Sequence, residues 1–231
     1  LTLGRADLAG KRFIDVGSGR GLFSLAAYRL GASVYSFDYD PRSVACTTEL
    51  RRRYAPNSDR WHIDEASILD LEYLAKLGKF DVVYSWGVLH HTGHMLQALE
   101  NAARLVADGG QLVIAIYNDQ GWKSRYWRTA KRLYCGSTVG RVAVIGVHAP
   151  VLFGGRVVAR ALTGRLSYER GMSLWHDFID WVGGYPFEVA TRDEMKTFFE
   201  GRGFRLQWLR DVERRSGCNE FMFRKVAGAS G

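Results

Sequence analysis

A short apolar segment followed at once by a run of glycines constrains this chain more than any other feature. Residues 12–16 predict a strand, the turn GSGRG occupies residues 17–21, and a helical pattern of apolar residues runs from 22 to 30. Such a turn lets the backbone approach a ligand closely and points amide groups at it. A dinucleotide fingerprint needs its third glycine at position 22, where this chain has Leu22. A dehydrogenase is therefore the less favoured interpretation.

Strands and helices then alternate along the first half of the chain. After residues 12–16, strands are predicted at 34–37, 61–68, 80–85 and 112–117, with helices at 22–30, 41–54 and 96–106. Five such alternations favour a parallel sheet covered on both faces. The pattern stops near residue 118 and resumes at Thr191, which forms a predicted capping box with Glu194. Two closing strands are predicted at 204–212 and 220–225.

An aspartate ends the second predicted strand. Asp38 stands 21 positions after Gly17, where a carboxylate can accept hydrogen bonds from both hydroxyls of a ribose. The alternative is that Asp38 only caps the following turn. That alternative is weaker, because Asp40, directly before Pro41, is better placed to cap the next helix. Nucleoside binding is therefore predicted.

Four stretches together resemble the motif series of class I S-adenosylmethionine-dependent methyltransferases. They are FIDVGSGRG, SFDYDP, FDVVYSWGVLHH and GGQLVIAIYN, in that order, over roughly half the chain. The resemblance implies a doubly wound α/β fold with a seven-stranded Rossmann-like sheet, an antiparallel last strand and a helical insertion after strand five. It also implies methyl transfer, with S-adenosylmethionine as cofactor and S-adenosylhomocysteine as product.

Carried over position by position, the resemblance implies a set of cofactor-binding residues. The methionine end is assigned to Asp15, Gly17, Ser18 and Gly19, the ribose to Asp38, the adenine to Tyr39, Ser67 and Ile68, and the pocket edge to Ser85 and Trp86. Two of these assignments have alternatives. An alternative alignment puts Asp64 in the place of Ser67, and Trp86 is equally well explained by core packing.

Two adjacent histidines follow the fourth predicted strand. An imidazole is suited to accept a proton near neutral pH, so His91, narrowly ahead of His90, is the candidate base. Adjacent residues rarely point the same way, so only one is expected in the site. The VLHH segment is similar to that of ubiquinone-biosynthesis O-methyltransferases, whose more acidic loop has been linked to a divalent metal. Because Gly87 and His90 stand in place of those acids, no metal is predicted.

Residues 118–190 are predicted to form a helical, aromatic insertion that selects the substrate, within one methyltransferase domain spanning residues 1–231. A second candidate base, the pair His176-Asp177, lies here and ranks below His90-His91. The candidate substrate residues are aromatic or polar: Tyr117, Asn118, Trp122, Tyr126, Trp127, His176 and Trp181.

Most of the net charge of +8 lies in this insertion, because residues 119–180 hold ten Lys or Arg against four acids. An anionic partner or a merely solvated face would each explain this. Residues 139–164 are apolar with flanking arginines and predict a helix pair that closes the active site or lies at a membrane surface. The acceptor is thus expected to be a small molecule, with anionic and lipophilic compounds both allowed.

Three isolated cysteines, Cys46, Cys135 and Cys218, fit a cytoplasmic protein, with peripheral contact at the inner membrane surface left open. An RNA or protein methyltransferase is the first alternative, since a basic aromatic insertion suits nucleic acid. It is less favoured because SWGV replaces the Asn/Asp-Pro-Pro-aromatic motif of base N-methyltransferases. A noncatalytic scaffold is the second, which the intact GSGRG turn and Asp38 oppose.

Overall fold

A computed structural model describes residues 7–150, 174–213 and 215–228. The chain divides into two compact units. The first is Leu1–Asp119 together with Val189–Gly231, and the second is Gln120–Glu188. The second unit thus occupies almost the same residues as the predicted insertion, while the description of the chain as a single domain stays a prediction.

The first unit contains seven strands and five helices among its described residues, with a short 3₁₀ turn at Leu89–His91. The strands are β1 Arg12–Val16, β2 Ser33–Asp38, β3 Trp61–Glu65, β4 Phe80–Trp86, β5 Val106–Tyr117, β6 Phe204–Arg210 and β7 Cys218–Lys225. The helices are α1 Leu22–Arg29, α2 Pro41–Tyr54, α3 Leu71–Leu77, α4 Met95–Arg104 and, following the second unit, α8 Arg192–Glu200.

The strands form one seven-stranded sheet in the order β3-β2-β1-β4-β5-β7-β6. The first five strands run parallel, and β7 is antiparallel to both β5 and β6. The predicted doubly wound Rossmann-like sheet with an antiparallel last strand is therefore confirmed. Its central strands are nearly continuous buried runs, because helices cover both faces of a mainly parallel sheet.

The helix starts follow the sequence signals. Asp40 caps α2 by accepting a hydrogen bond from the Arg42 amide, with Pro41 in the first helical position. Thr191 and Glu194 form the predicted capping box at the start of α8. These caps fix where two helices leave the sheet edge.

One strand begins earlier than the sequence pattern indicates. Val106 was predicted to end a helix, but α4 ends at Arg104 and Val106 pairs with Phe80 in β5. The register then jumps, and Gln111 is the next residue to pair, with Val82. The glycine-containing residues 107–110 thus form an irregularity inside the strand and do not mark its start. The third strand is also shorter than predicted and ends at Glu65.

The insertion leaves and re-enters the first unit at neighbouring points. Asn118 forms an isolated bridge with Ala190. The Ala190 amide donates to the Tyr117 carbonyl at 3.0 Å, and the Asp119 amide donates to the Ala190 carbonyl at 3.2 Å. The two ends of the insertion are therefore joined by backbone hydrogen bonds at the end of β5.

The second unit is helical where the structure describes it, with α5 Trp122–Gly136, α6 Thr138–His148 and α7 Leu174–Gly183. Its core is built from Tyr134, Val144, Phe178 and Val182. The predicted helix pair at 139–164 extends into residues 151–173, which lie outside the described part of the chain. In the described ranges, no helix is both long enough and apolar enough to cross a bilayer.

Candidate functional site

The glycine turn between β1 and α1 is held from below by the protein itself. Gly17, Gly19 and Gly21 all adopt positive φ angles, of 75°, 54° and 73°. The amides of Gly17 and Ser18 donate to the Phe37 carbonyl at 2.9 and 3.1 Å. The expectation that these amides point at a ligand is therefore wrong for both residues, and the turn offers close approach of its backbone.

The three glycines differ in the space around them. A Cβ at Gly17 would lie 2.5 Å from Cγ1 of Val88, and one at Gly21 would lie 2.8 Å from Cγ2 of Thr47. A Cβ at Gly19 would meet no protein atom within 4 Å. Gly17 and Gly21 therefore permit packing, whereas Gly19 borders open space.

Asp38 ties the end of β2 to this turn. Its Oδ2 accepts a hydrogen bond from the Gly19 amide at 2.8 Å, and its Oδ1 accepts one from the Asp40 amide at 2.9 Å. Each carboxylate oxygen can accept a further hydrogen bond. Asp38 thus supports the turn and retains the capacity to accept the two ribose hydroxyls, as the sequence predicts.

Asp15 lies beneath the turn and is only 2% exposed. Its Oδ2 accepts a hydrogen bond from the Ser24 hydroxyl at 2.6 Å. Burial is the main cause that raises the pKa of Asp15 to about 7, and the nearby Asp38 carboxylate adds to it. A buried carboxyl that titrates near neutral pH is often found at a functional site.

The two alternative residues for the adenine contact, Asp64 and Ser67, differ in their hydrogen bonds. Oδ2 of Asp64 accepts hydrogen bonds from both Tyr35 and Tyr73, at 2.8 and 3.0 Å. The Ser67 hydroxyl oxygen accepts the Leu69 amide at 3.1 Å and can still donate its proton. Asp64 shares Oδ2 between two tyrosines and keeps acceptor capacity on Oδ1, so both alternatives for the adenine contact stay open.

The other predicted cofactor residues fall into two environments. Tyr39 is 80% exposed beside Asp38, whereas Ile68 is only 4% exposed and packs in the core. Ser85 is fully buried and donates to the Val16 carbonyl at 2.9 Å, which holds β4 against the residue before the turn. Trp86 is half-buried and stacks on Tyr84 at 5.7 Å, which supports the packing alternative for its ring.

The two histidines have different surroundings. His90 is fully buried, and its ring lies 4.1 Å from that of Tyr117 between centroids. His91 is half-buried, and its ring meets Tyr117 edge-on at 5.5 Å. Both rings thus contact one tyrosine, and His91 is the less buried of the two.

Tyr117 itself is poorly suited to act as a base. Burial raises the pKa of Tyr117 to about 12, and Cys218 nearby contributes to the increase. Its hydroxyl therefore stays protonated at neutral pH and can only donate or accept a hydrogen bond. Its predicted role as a substrate residue stays a prediction.

Asn118 is engaged on both sides of its amide. Its Nδ2 donates to the Glu213 carbonyl, and its Oδ1 accepts from Asn219 at 3.1 Å. Asn219 in turn accepts from the Val212 amide at 3.0 Å. The predicted substrate residue Asn118 therefore anchors the loop between β6 and β7.

The substrate residues predicted in the second unit are divided between its core and its surface. Trp127 and Trp181 pack edge to face at 5.8 Å, and both line the hydrophobic core. Trp122 is 66% exposed, and the Tyr126 hydroxyl is 2.6 Å from Nε2 of His148. His176 belongs to α7, but its side chain lies outside the described part of the chain.

Sequence reasoning missed several residues that shape the turn. Thr47 of α2 is fully buried, and its hydroxyl donates to the Gly19 carbonyl at 3.1 Å and lies 3.3 Å from that of Ser18. Val88 packs directly on Gly17. A buried threonine in a polar helix gives no signal in a periodicity argument, because only the fold brings it to the turn.

The side chains present fit S-adenosylmethionine. Gly19 borders open space, Asp38 has acceptor capacity left for a ribose, and Asp15 supplies a titratable carboxyl below the turn. Within residues 7–150, 174–213 and 215–228, no three His, Cys, Asp or Glu side chains are grouped closely enough to hold a metal ion.

Comparison with known proteins agrees with this geometry. A family model described as a methyltransferase domain matches residues 1–207. The chain is 36% identical over 109 residues to a tRNA U34 carboxymethyltransferase of Ectopseudomonas mendocina, which covers 47% of the chain and 33% of the relative. It is 34% identical over 114 residues to a ubiquinone biosynthesis O-methyltransferase of Xanthomonas oryzae pv. oryzae, covering 49% of the chain and 46% of that relative. The matches thus span a third to a half of these relatives.

Solved structures share the fold at low identity. The magnesium protoporphyrin IX methyltransferase of Synechocystis, with bound S-adenosylhomocysteine, superposes with a TM-score of 0.57 at 14% identity, covering 94% of this chain and 75% of that one. An N-methyltransferase of Bradyrhizobium japonicum gives a TM-score of 0.55 at 14% identity, covering 94% and 79%. Because the family model spans most of the chain and the fold agrees, this chain belongs to the class I S-adenosylmethionine-dependent methyltransferases.

Proposed function

We propose that this chain transfers the methyl group of S-adenosylmethionine to an oxygen or nitrogen atom of a small molecule, with His91 as the base. The observation that carries the proposal is the position of the histidine segment. Val88 packs on Gly17 of the glycine turn, and the half-buried His91 follows three residues later. A base near the turn suits a reaction in which the acceptor loses a proton.

Methyl transfer requires alignment of the acceptor atom with the methyl carbon more than it requires activation of the methyl group. The acceptor atom attacks the methyl carbon in line with the departing sulfur, so the carbon–sulfur bond breaks as the new bond forms. A proton on the acceptor passes to the imidazole of His91, since imidazole is the side chain best suited to accept a proton near neutral pH. His90 and Tyr117 support the ring of His91 from the buried side.

The second candidate is an RNA methyltransferase. The tRNA-directed relative supports it, and so do the exposed basic residues of α5, namely Lys123, Arg125, Arg128 and Arg132. Against it, Trp127 and Trp181 are partly buried and pack against the core of the second unit, which leaves less of their rings for stacking on bases. We therefore rank a small-molecule acceptor first.

The deciding experiment is methyl-donor turnover against phenols, carboxylates, amines and a tRNA anticodon stem-loop at two salt concentrations. A small-molecule enzyme should turn over one compound class with little effect of salt. An RNA enzyme should act on the stem-loop and lose affinity steeply between 50 and 200 mM salt, by about 10³-fold or more if many phosphates are contacted.

We also propose a cytoplasmic protein with peripheral contact at the inner membrane surface. The support is the outward face of α6, where Val139, Val142 and Val147 are 80%, 66% and 65% exposed. They recur at the spacing of one helix face, and Arg132 and Arg141 are exposed on the same unit. An apolar face beside arginines suits a surface of anionic lipid.

A further inference from the structure

A chain of hydrogen bonds runs beneath the glycine turn and ends on Asp15. Nε1 of Trp61 on β3 donates to the Ser36 hydroxyl on β2 at 2.9 Å. Ser36 donates to the Ser24 hydroxyl of α1 at 2.8 Å, and Ser24 donates to Oδ2 of Asp15 at 2.6 Å. None of these four residues is more than 2% exposed. A series of hydrogen bonds that starts on β3 and passes through β2 and α1 thus ends on one buried carboxyl.

The hydrogen bonds of this chain all point toward Asp15. Trp61 donates to Ser36, and Ser36 donates its own hydroxyl proton to Ser24. Ser24 then has only Asp15 left to donate to. Oδ2 of Asp15 is therefore held as an acceptor, and a proton on this carboxyl sits on Oδ1.

The surroundings of Asp15 do not favour its negative charge. Asp38 faces it from β2, and Tyr84 lies beside it on β4 in the pairing register. Burial dominates, and the pKa of Asp15 is about 7, so about half the molecules carry the proton at neutral pH. A cation placed near Oδ1 would favour the charged form and release that proton.

The cofactor brings such a cation. S-adenosylmethionine carries a sulfonium and an ammonium group at its methionine end, the end assigned to Asp15. We propose that Trp61, Ser36 and Ser24 are positioning residues that hold Asp15 poised to lose its proton when S-adenosylmethionine binds. The O–H bond on Oδ1 breaks, the proton passes to solvent, and the carboxylate faces the cation. This inference rests on the proposed cofactor site.

The test is calorimetric titration of the whole chain with S-adenosylmethionine in phosphate and in Tris, which differ in ionisation enthalpy. At pH 6.5 we expect release of about 0.8 proton per cofactor. Between pH 5.5 and 7.0, where the cofactor's amino group stays charged, the affinity should rise roughly tenfold. 5′-Methylthioadenosine lacks both charges and should release no proton from this group.

Variants test whether Asp15 is the group that releases the proton when S-adenosylmethionine binds. Asp15→Asn should abolish proton release and flatten the pH profile of affinity. Ser24→Ala and Ser36→Ala should move the midpoint of that profile to higher pH, as should Trp61→Phe, because each removes donation toward the carboxylate. Trp208→Phe, the same change on the far edge strand, should leave the profile as in the wild type. Should Trp61→Phe not fold, Ser36→Ala tests the relay with a smaller change.

The outcomes separate the inference from the function it rests on. Binding without proton release, or equal release by Asp15→Asn, would overturn the relay and leave cofactor binding intact. A wild-type midpoint retained in Ser24→Ala and Ser36→Ala would reduce these serines to packing residues. If S-adenosylmethionine does not bind the wild-type chain at all, both the proposed function and the relay are wrong.

Discussion

The carboxylate of Asp38 supports the fold, and the same group is the one that we propose binds the ribose. Its oxygens accept the Gly19 and Asp40 amides, and their remaining lone pairs are the ones that a ribose would use. Asp38→Ala should weaken binding of S-adenosylhomocysteine at least tenfold, because hydroxyls left unpaired in a closed site cost about 1 to 3 kcal/mol. Calorimetry measures the affinity directly.

A neighbouring aspartate gives the matched control. Asp40→Ala removes the cap of α2 and should lower the melting temperature with little change in affinity, since Asp40 does not contact the turn through its side chain. A folded Asp38→Ala with wild-type affinity would contradict the ribose assignment.

The adjacent residues His90 and His91 allow a catalytic role to be tested separately from a packing role. His91→Ala should lower turnover on the order of 100-fold or more while cofactor affinity is retained, because an acceptor that carries a proton loses its base. His90→Ala should chiefly lower stability, since it leaves a cavity under Tyr117. Single-turnover kinetics and thermal unfolding of both variants make the comparison. Equal turnover in His91→Ala and wild type would remove His91 from the mechanism.

At the scale of elements, an ammonium group joins two helices of the insertion. Lys131 of α5 is 1% exposed, donates to the Trp181 carbonyl of α7 and lies 4.1 Å from the Trp181 ring. Burial lowers the pKa of Lys131 to about 8 from its ordinary 10.5. The folded state therefore gives up the proton more readily than the unfolded chain.

This difference sets a pH dependence of known sign. Between about pH 8 and 10.5 the unfolded chain binds more protons at this position, so the contribution of Lys131 to stability rises with pH across that window. Lys131→Met should remove this rise, which we expect to be about 2 kcal/mol. Thermal unfolding of both proteins from pH 7.5 to 10 checks it, with Lys123→Met as a control on the exposed face. If stability changes with pH in the same way in wild type and in Lys131→Met, the burial of Lys131 has no effect on stability.

The elements differ in how well local sequence specifies them. The caps of α2 and α8 and the glycine turn have local signals, and all three were predicted correctly. Val106 was assigned to the wrong element because residues 107–110 interrupt β5 inside its pairing with β4, and only the neighbouring strand reveals that irregularity. The positions of Thr47 and Trp61 in the site depend on contacts between elements, so no reading of single segments finds them.

At the scale of the whole molecule, the fold was predictable and the acceptor was not. The order of strands follows from motifs that recur across the family, whereas the insertion has its own sequence and its own core. Its tryptophans are expected to line a substrate site, which stays a prediction, and Trp127 and Trp181 are partly buried against that core. In a short helical unit, bulky side chains are needed for the core. The periodicity of apolar residues cannot separate that role from a role in substrate binding.

The exposed face of α6 gives a prediction for the whole chain. The protein should pellet with anionic vesicles at low salt and much less with neutral ones, because apolar insertion and arginine contacts act together. Val142→Glu combined with Val147→Glu should abolish pelleting. Thr138→Glu, at the start of the same exposed helix, should have a smaller effect. No pelleting of the wild type with either vesicle would contradict a membrane contact.

The backbone bridge between Asn118 and Ala190 bears on how such a chain can change over evolutionary time. A segment whose two ends are already neighbours can be lengthened, trimmed or exchanged at a small entropic cost of closing the loop. The two ends of the insertion meet at the end of β5. The sheet can therefore accept a different insertion at this point without a change in any of its strands. A chimera in which residues 120–188 give way to a short glycine-rich turn should therefore keep the sheet and the glycine turn folded.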